Sequence, residues 1–162
     1  MKKKIQIKKI LYCTDLGNHT APVFKHALAQ AESNNATISI VHVVEPLSET
    51  VQAFISTCLA DADVEQVQKD GMQKVLGYMK KRIENFLKRE CEKDLKNYPV
   101  DKITVLAGRP SEEILNIAEK QDVDLIVMGK SSNKVRGNRV MGSTARRVNR
   151  LSGVPLLIVP NR

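Results

Sequence analysis

Residues 129–144, GKSSNKVRGNRVMGST, hold three glycines, four basic side chains and no acid. Such a composition suits an anion, because glycine lets backbone N–H groups come close to a phosphate while the cations supply charge. Gly137 and Gly142 reproduce the glycine spacing of a P-loop, with Ser143 and Thr144 following. A P-loop, however, needs a Lys after its second glycine and a first glycine near a strand end. Ser143 stands where the Lys should be and Gly137 lies eight residues past Gly129, so the match fails twice. In another register the two ends of the segment carry the chemistry. Gly129 would let the chain turn sharply as it leaves a strand. Gly142, Ser143 and Thr144 would present N–H groups and two hydroxyls at a helix start, a natural anion site. Lys130, Lys134, Arg136 and Arg139 lie between them. Composition alone leaves a second reading open, an ordinary surface connection with a Ser cap on the next helix.

Other reactive residue types are scattered. His19, His26 and His42 have neither metal-site spacing nor the pairing of an acid–base couple. His26 falls in a helical stretch and His42 in a strand, which suggests packing or surface roles. Cys13, Cys58 and Cys91 are widely spaced and odd in number, matching neither a disulfide framework nor a metal knuckle and pointing to a reduced, cytoplasmic setting. With no evident basic neighbour, Cys13 reads as a small buried thiol. Asp15 follows a strand-like run and fits either a turn or a ligand-facing acid. Nothing here is machinery for fast catalysis.

Charge is distributed unevenly. Residues 1–124 carry 18 basic and 18 acidic side chains, whereas residues 125–162 carry eight basic and no acidic ones. The net charge of +8 therefore belongs to the C-terminal quarter, the quarter that contains the glycine-rich segment. An anionic partner follows, and either nucleic acid or phosphate on a small ligand would satisfy the charge. With 4% aromatic residues and no Trp, the chain lacks stacking platforms for single strands, and no recognition motif appears; nucleic acid is disfavoured. No apolar run is long enough for a membrane span, and the start MKKKIQIKKILYC is too interrupted for a signal peptide.

The elements that must position these residues alternate along the chain. Strand-like runs occur at residues 7–14 (IKKILYCT), 36–44 (ATISIVHVV), 102–108 (KITVLAG), 124–129 (DLIVMG) and 156–159 (LLIV). Helical spacing at Val23, Phe24, Ala27, Leu28 and Ala31 ends at the turn signal Asn34-Asn35. Residues 45–62 read as a loop or irregular helix. A long helix is predicted over residues 63–95, with Val64, Val67, Val75, Met79, Ile83 and Phe86 facing inward and Gly71 and Gly77 weakening its first half. Ser111 is the expected N-cap of the next helix, ahead of Glu112 and Glu113. A short helix is predicted over residues 143–151. This is the order of an α/β protein, a single doubly wound five-stranded parallel sheet in one domain spanning residues 1–162. If its strand order is 3-2-1-4-5, a ligand belongs where the order reverses, beyond the ends of the first and fourth strands. Those strands end at Cys13-Thr14-Asp15 and at Met128-Gly129.

The chain resembles the universal stress proteins over nearly its whole length. The resemblance is carried by KKILYCTDLGN, ISIVHVVEP, VLAGRPSEEILNIAEKQDVDLIVMG and GSTARRVNRLSGVPLLIVP. It implies strand order 3-2-1-4-5 with helices on both faces, and a homodimer through the last strand. One branch of the family binds ATP through the pattern G-x2-G-x9-G-[S/T], kept here as Gly129-x2-Ser132-x9-Gly142-Ser143, with Ser132 in place of the second glycine. The resemblance further implies Thr14 and Asp15 beside the nucleoside and the backbone of Val43 on the adenine edge. Met128, Gly129, Lys130, Gly142, Ser143 and Thr144 match the phosphate-facing segment. Cys13 stands where Pro is frequent and Gly17 where Ser is frequent. Two functions are then expected. The first is a stress-response regulator binding ATP or AMP, with Mg2+ held only through phosphates and at most slow hydrolysis. The second is a nucleotide-free dimeric scaffold.

Overall fold

A computed structural model describes residues 5–17, 20–58, 64–90, 98–130 and 140–160. Five strands form one parallel sheet: β1 (Lys9–Cys13), β2 (Thr37–Val44), β3 (Val100–Ala107), β4 (Leu125–Gly129) and β5 (Leu156–Val159). Their order is β3-β2-β1-β4-β5, as the resemblance implied. Five helices connect them: α1 (Thr20–Asn34), α2 (Glu49–Cys58), α3 (Val64–Glu90), α4 (Pro110–Lys120) and α5 (Ser143–Leu151).

Both sheet faces are covered, because successive strand residues point to opposite sides. Ile10 and Tyr12 of β1 and Leu125 and Val127 of β4 pack with Phe24 and Ala27 of α1 and Ile83 and Leu87 of α3. The intervening Leu11, Cys13, Ile126 and Met128 pack on the other side against Ile114 and Ile117 of α4 and Val148 of α5. Near-continuous apolar strands are the consequence of being buried twice. Phe24 is fully buried at the centre of an aromatic group, its ring centroid 5.3 Å from Tyr12 and 5.4 Å from Phe86.

Helix ends follow local chemistry. Asn35 adopts a left-handed conformation (φ 52°) directly after α1, and the Ala36 amide bonds back to the Ala31 carbonyl at 2.9 Å. Asp122 (φ 52°) does the same after α4, with Val123 bonding to Ala118 at 3.1 Å. Asn and Asp tolerate this conformation better than most side chains, so these positions stop the helices.

Three expectations need correction. The N-cap of α4 is Arg109, not Ser111, because Pro110 with its preset φ takes the first helical position. Ser111 instead lies buried inside the first turn. The stretch at residues 45–62 contains a regular helix, α2, yet none of its residues is buried. In α3, Ile83 and Phe86 are buried and Met79 half-buried, but Val67 and Val75 are 50% and 39% exposed. A helix of 27 residues is ~40 Å long at 1.5 Å per residue, longer than any strand it could cover, so its first half overruns the sheet.

Phe24→Ala is expected to lower unfolding free energy by about 3–5 kcal/mol, since the aromatic group cannot collapse into so large a void. A urea melt showing a loss under ~1 kcal/mol would place the core elsewhere.

Candidate functional site

A cleft of about 570 Å³ opens at the carboxyl ends of β1 and β4, within the size range of small-molecule sites. Its lining brings together Thr14, Asp15, Val43, Met128, Gly129, Lys130, Gly142, Ser143 and Thr144, all singled out in the sequence. Ser132, Lys134, Arg136, Gly137 and Arg139 lie outside the described residues.

On the β1 side, the chain beyond Cys13 folds into two nested turns. The Thr14 amide still bonds across to the Val41 carbonyl at 3.0 Å, extending the β1–β2 pairing by one residue. Thr14 Oγ1 then accepts the Leu16 amide at 3.0 Å, and Asp15 Oδ1 accepts the Gly17 amide at 2.9 Å. Leu16 is held at φ 56°, a left-handed conformation costly for a branched side chain. A Cβ at position 17 would sit 3.1 Å from Asp15 Oδ1, so a larger residue there would press on the carboxylate.

On the β4 side, the two ends of the glycine-rich segment are tied together. The Lys130 amide continues the β4–β5 pairing by bonding to the Val159 carbonyl at 2.8 Å, and the Lys130 carbonyl accepts the Gly142 amide at 2.9 Å. The expectation that Gly142 offers a free N–H is therefore wrong, since that amide closes the loop. Gly142 is the N-cap of α5 and Ser143 its first residue, so the helix begins without a side-chain cap. Gly142 is extended at φ −63°, ψ 159°. The next amides of the first turn have no acceptor within their own helix, and the partial positive charge of the helix end adds to that of Lys130.

Sequence reasoning missed three contributors. Glu45 joins Asp15 as a second acid of the cleft, placed there because the chain turns only after β2 ends at Val44. Met79 reaches the cleft from α3. His42 is buried and lines it too, with Nδ1 donating to the Thr14 carbonyl at 2.8 Å. His26, by contrast, is exposed on α1. The basic excess divides as well. Lys130 lines the cleft, while Arg147 of α5 pairs with Glu112 at 3.2 Å, alongside the 2.8 Å Arg109–Glu112 pair. The Arg147 pair joins α5 to α4, the Arg109 pair lies within the start of α4, and both, being exposed, contribute little energy.

The whole length of the chain now has a counterpart. The model of the universal stress protein family matches residues 6–160. The chain belongs to the universal stress protein family. It is 30% identical over 162 residues to the universal stress protein MJ0577 of Methanocaldococcus jannaschii, covering 98% of both chains. The solved structure of that protein superposes with a TM-score of 0.75 at 25% identity, covering 98% of this chain and 99% of that one. A solved universal stress protein in complex with cAMP shares the fold with a TM-score of 0.58 at 18% identity, over 97% of this chain and 99% of that one. For a universal stress protein, the cleft sits where the topology requires, at the reversal of strand order.

Burial raises the Cys13 thiol far above its ordinary range by disfavouring the thiolate. Cys13 therefore stays protonated at pH values where an exposed thiol ionises. Iodoacetamide at about pH 8 should label Cys58, which is exposed, and leave Cys13 unmodified until denaturant is added, as read by peptide mass spectrometry. Rapid labelling of Cys13 in the folded protein would contradict its placement.

Proposed function

We propose that the cleft binds an adenine nucleotide, ATP or AMP, and that this universal stress protein responds to occupancy rather than turning the nucleotide over. The observation that carries the reading is the uncapped start of α5 at Gly142, Ser143 and Thr144, brought beside Gly129 and Lys130 and across the cleft from Asp15. An anion at a helix N-terminus is stabilised by about 0.3–2 kcal/mol, and hydrogen bonds from first-turn amides add to this. The phosphates would lie over α5 and the Ser143 and Thr144 hydroxyls, the nucleoside near Asp15, and the adenine edge along the Val43 backbone. Any Mg2+ would be carried by the phosphates. Among the described residues no group of three potential metal-ligating side chains is assembled. The cleft's thiol is suppressed by burial, so turnover faster than slow hydrolysis has no activated nucleophile in Cys13. The complex of a family fold with cAMP supports the ligand class.

Isothermal titration with ATP and AMP, together with mass spectrometry of small molecules released from the purified protein, tests the reading. Gly142→Val should weaken nucleotide binding at least about tenfold, because a branched side chain would stand at the phosphate-facing helix start. The backbone there is one Val adopts freely, so the melting temperature should hold. No heat at millimolar ATP and no retained nucleotide would sink the proposal.

A second reading, a dimeric scaffold, rests on β5. Among the described residues this strand pairs with β4 alone, and Leu156, Leu157 and Ile158 are only half-buried. The Val159 carbonyl points to β4, where it accepts the Lys130 amide, so by alternation the Ile158 amide points outward. Ile158→Pro should convert a dimer to a monomer by light scattering while preserving the fold. An unchanged mass would exclude pairing through this edge.

A further inference from the structure

Asp15 sits between two carbonyls, and each of them is held by a side chain from a different element. The Thr14 carbonyl accepts His42 Nδ1 of β2 at 2.8 Å. The Leu16 carbonyl accepts an Arg82 guanidinium nitrogen of α3 at 3.3 Å. The Thr14–Asp15 and Leu16–Gly17 peptide units are thus held from outside the loop, while the Asp15–Leu16 unit between them is held by Thr14 Oγ1. Such support is required, because Leu16 at φ 56° pays a conformational cost that the loop's own two turns must share with its surroundings.

The two contacts differ in strength. His42 is 8% exposed, and its bond is short and part-buried, so loss of the donor leaves the Thr14 carbonyl short of its protein partner. Because a carbonyl can only accept, Nδ1 carries the proton, which also fixes the orientation of the imidazole. Arg82 is exposed, and its bond is longer and screened. It nevertheless lies one helical turn beyond Met79, whose sulfur it meets at 3.8 Å and which lines the cleft.

We propose that His42, assisted by Arg82, is a positioning residue that sets the Asp15 carboxylate for ligand by clamping the Thr14 and Leu16 carbonyls. This rests on the reading of the cleft as a nucleotide site and names the specificity-determining support behind Asp15. Asn is the conservative replacement at position 42, because its Nδ2 occupies the same place along the side chain as the histidine Nδ1 and also donates. Leu keeps the bulk and removes the donor.

Hydrogen exchange of the Leu16 and Gly17 amides in the ligand-free protein tests the clamp without reference to any nucleotide. His42→Leu should speed exchange at both amides by about tenfold, and His42→Asn should restore protection, whereas Arg82→Met should have a smaller effect. Exchange unchanged in His42→Leu, or equal acceleration in Leu and Asn variants, would overturn the clamp. ATP titration then tests its consequence. His42→Leu should weaken binding about tenfold in the natural background and less than about twofold once Asp15→Ala is present, because a residue acting through Asp15 has nothing left to position. Equal losses in both backgrounds would overturn action through Asp15. Wild-type protein without ATP binding would overturn the nucleotide reading and, with it, the ligand-positioning role, while the exchange result would still decide the clamp.

Discussion

The reversal of strand order between β1 and β4 is the constraint on which the rest depends. Right-handed crossovers send the connections after β1 and β2 over one face of the sheet and those after β3 and β4 over the other. The core records this split, with α1 and α3 packed on one side and α4 and α5 on the other. Chains leaving the adjacent ends of β1 and β4 must therefore part, and a crevice opens between them. No special residue is needed to make the crevice. Residues are needed only to give it chemistry.

That chemistry is assembled by extending each strand pairing a single residue past the sheet. Thr14 does so on β1 and Lys130 on β4. After these shared last bonds, the β1 side turns tightly through Leu16 and Gly17 to face Asp15 inward. The β4 side returns through the Lys130–Gly142 bond to deliver the start of α5. One wall then bears acids, Asp15 and Glu45, and the opposite wall bears Lys130 and a helix N-terminus. A ligand with an anionic end and a hydroxyl-bearing end matches that polarity.

Much of this was legible in the sequence, for identifiable reasons. The strands were visible because burial on both faces demands continuous apolar runs, and LLIV and the helix at Ser143–Leu151 were bounded by Gly and Pro. The cleft residues Asp15, Gly129 and Ser143 were found because strand ends and helix starts locate them. Features set by three-dimensional fit were not legible. Periodicity showed α3 as one amphipathic stripe, but Val67 and Val75 lie beyond the reach of the sheet. Pro110 displaced the start of α4 by its fixed φ, so Ser111 could not cap. The part of His42 depends on a bond to a residue 28 positions earlier in the chain, and the use of the Gly142 amide depends on Lys130 across the loop. Spacing within a motif cannot report either contact.

The central claim is that nucleotide meets both walls of this cleft at once. Amide chemical-shift mapping during an ATP titration tests it most directly. The account predicts saturable shifts at Asp15 and Val43 on one side and at Gly129, Lys130, Ser143 and Thr144 on the other, moving with one binding constant. Shifts confined to surface residues of α2 and α3, or none at millimolar ATP, would contradict it.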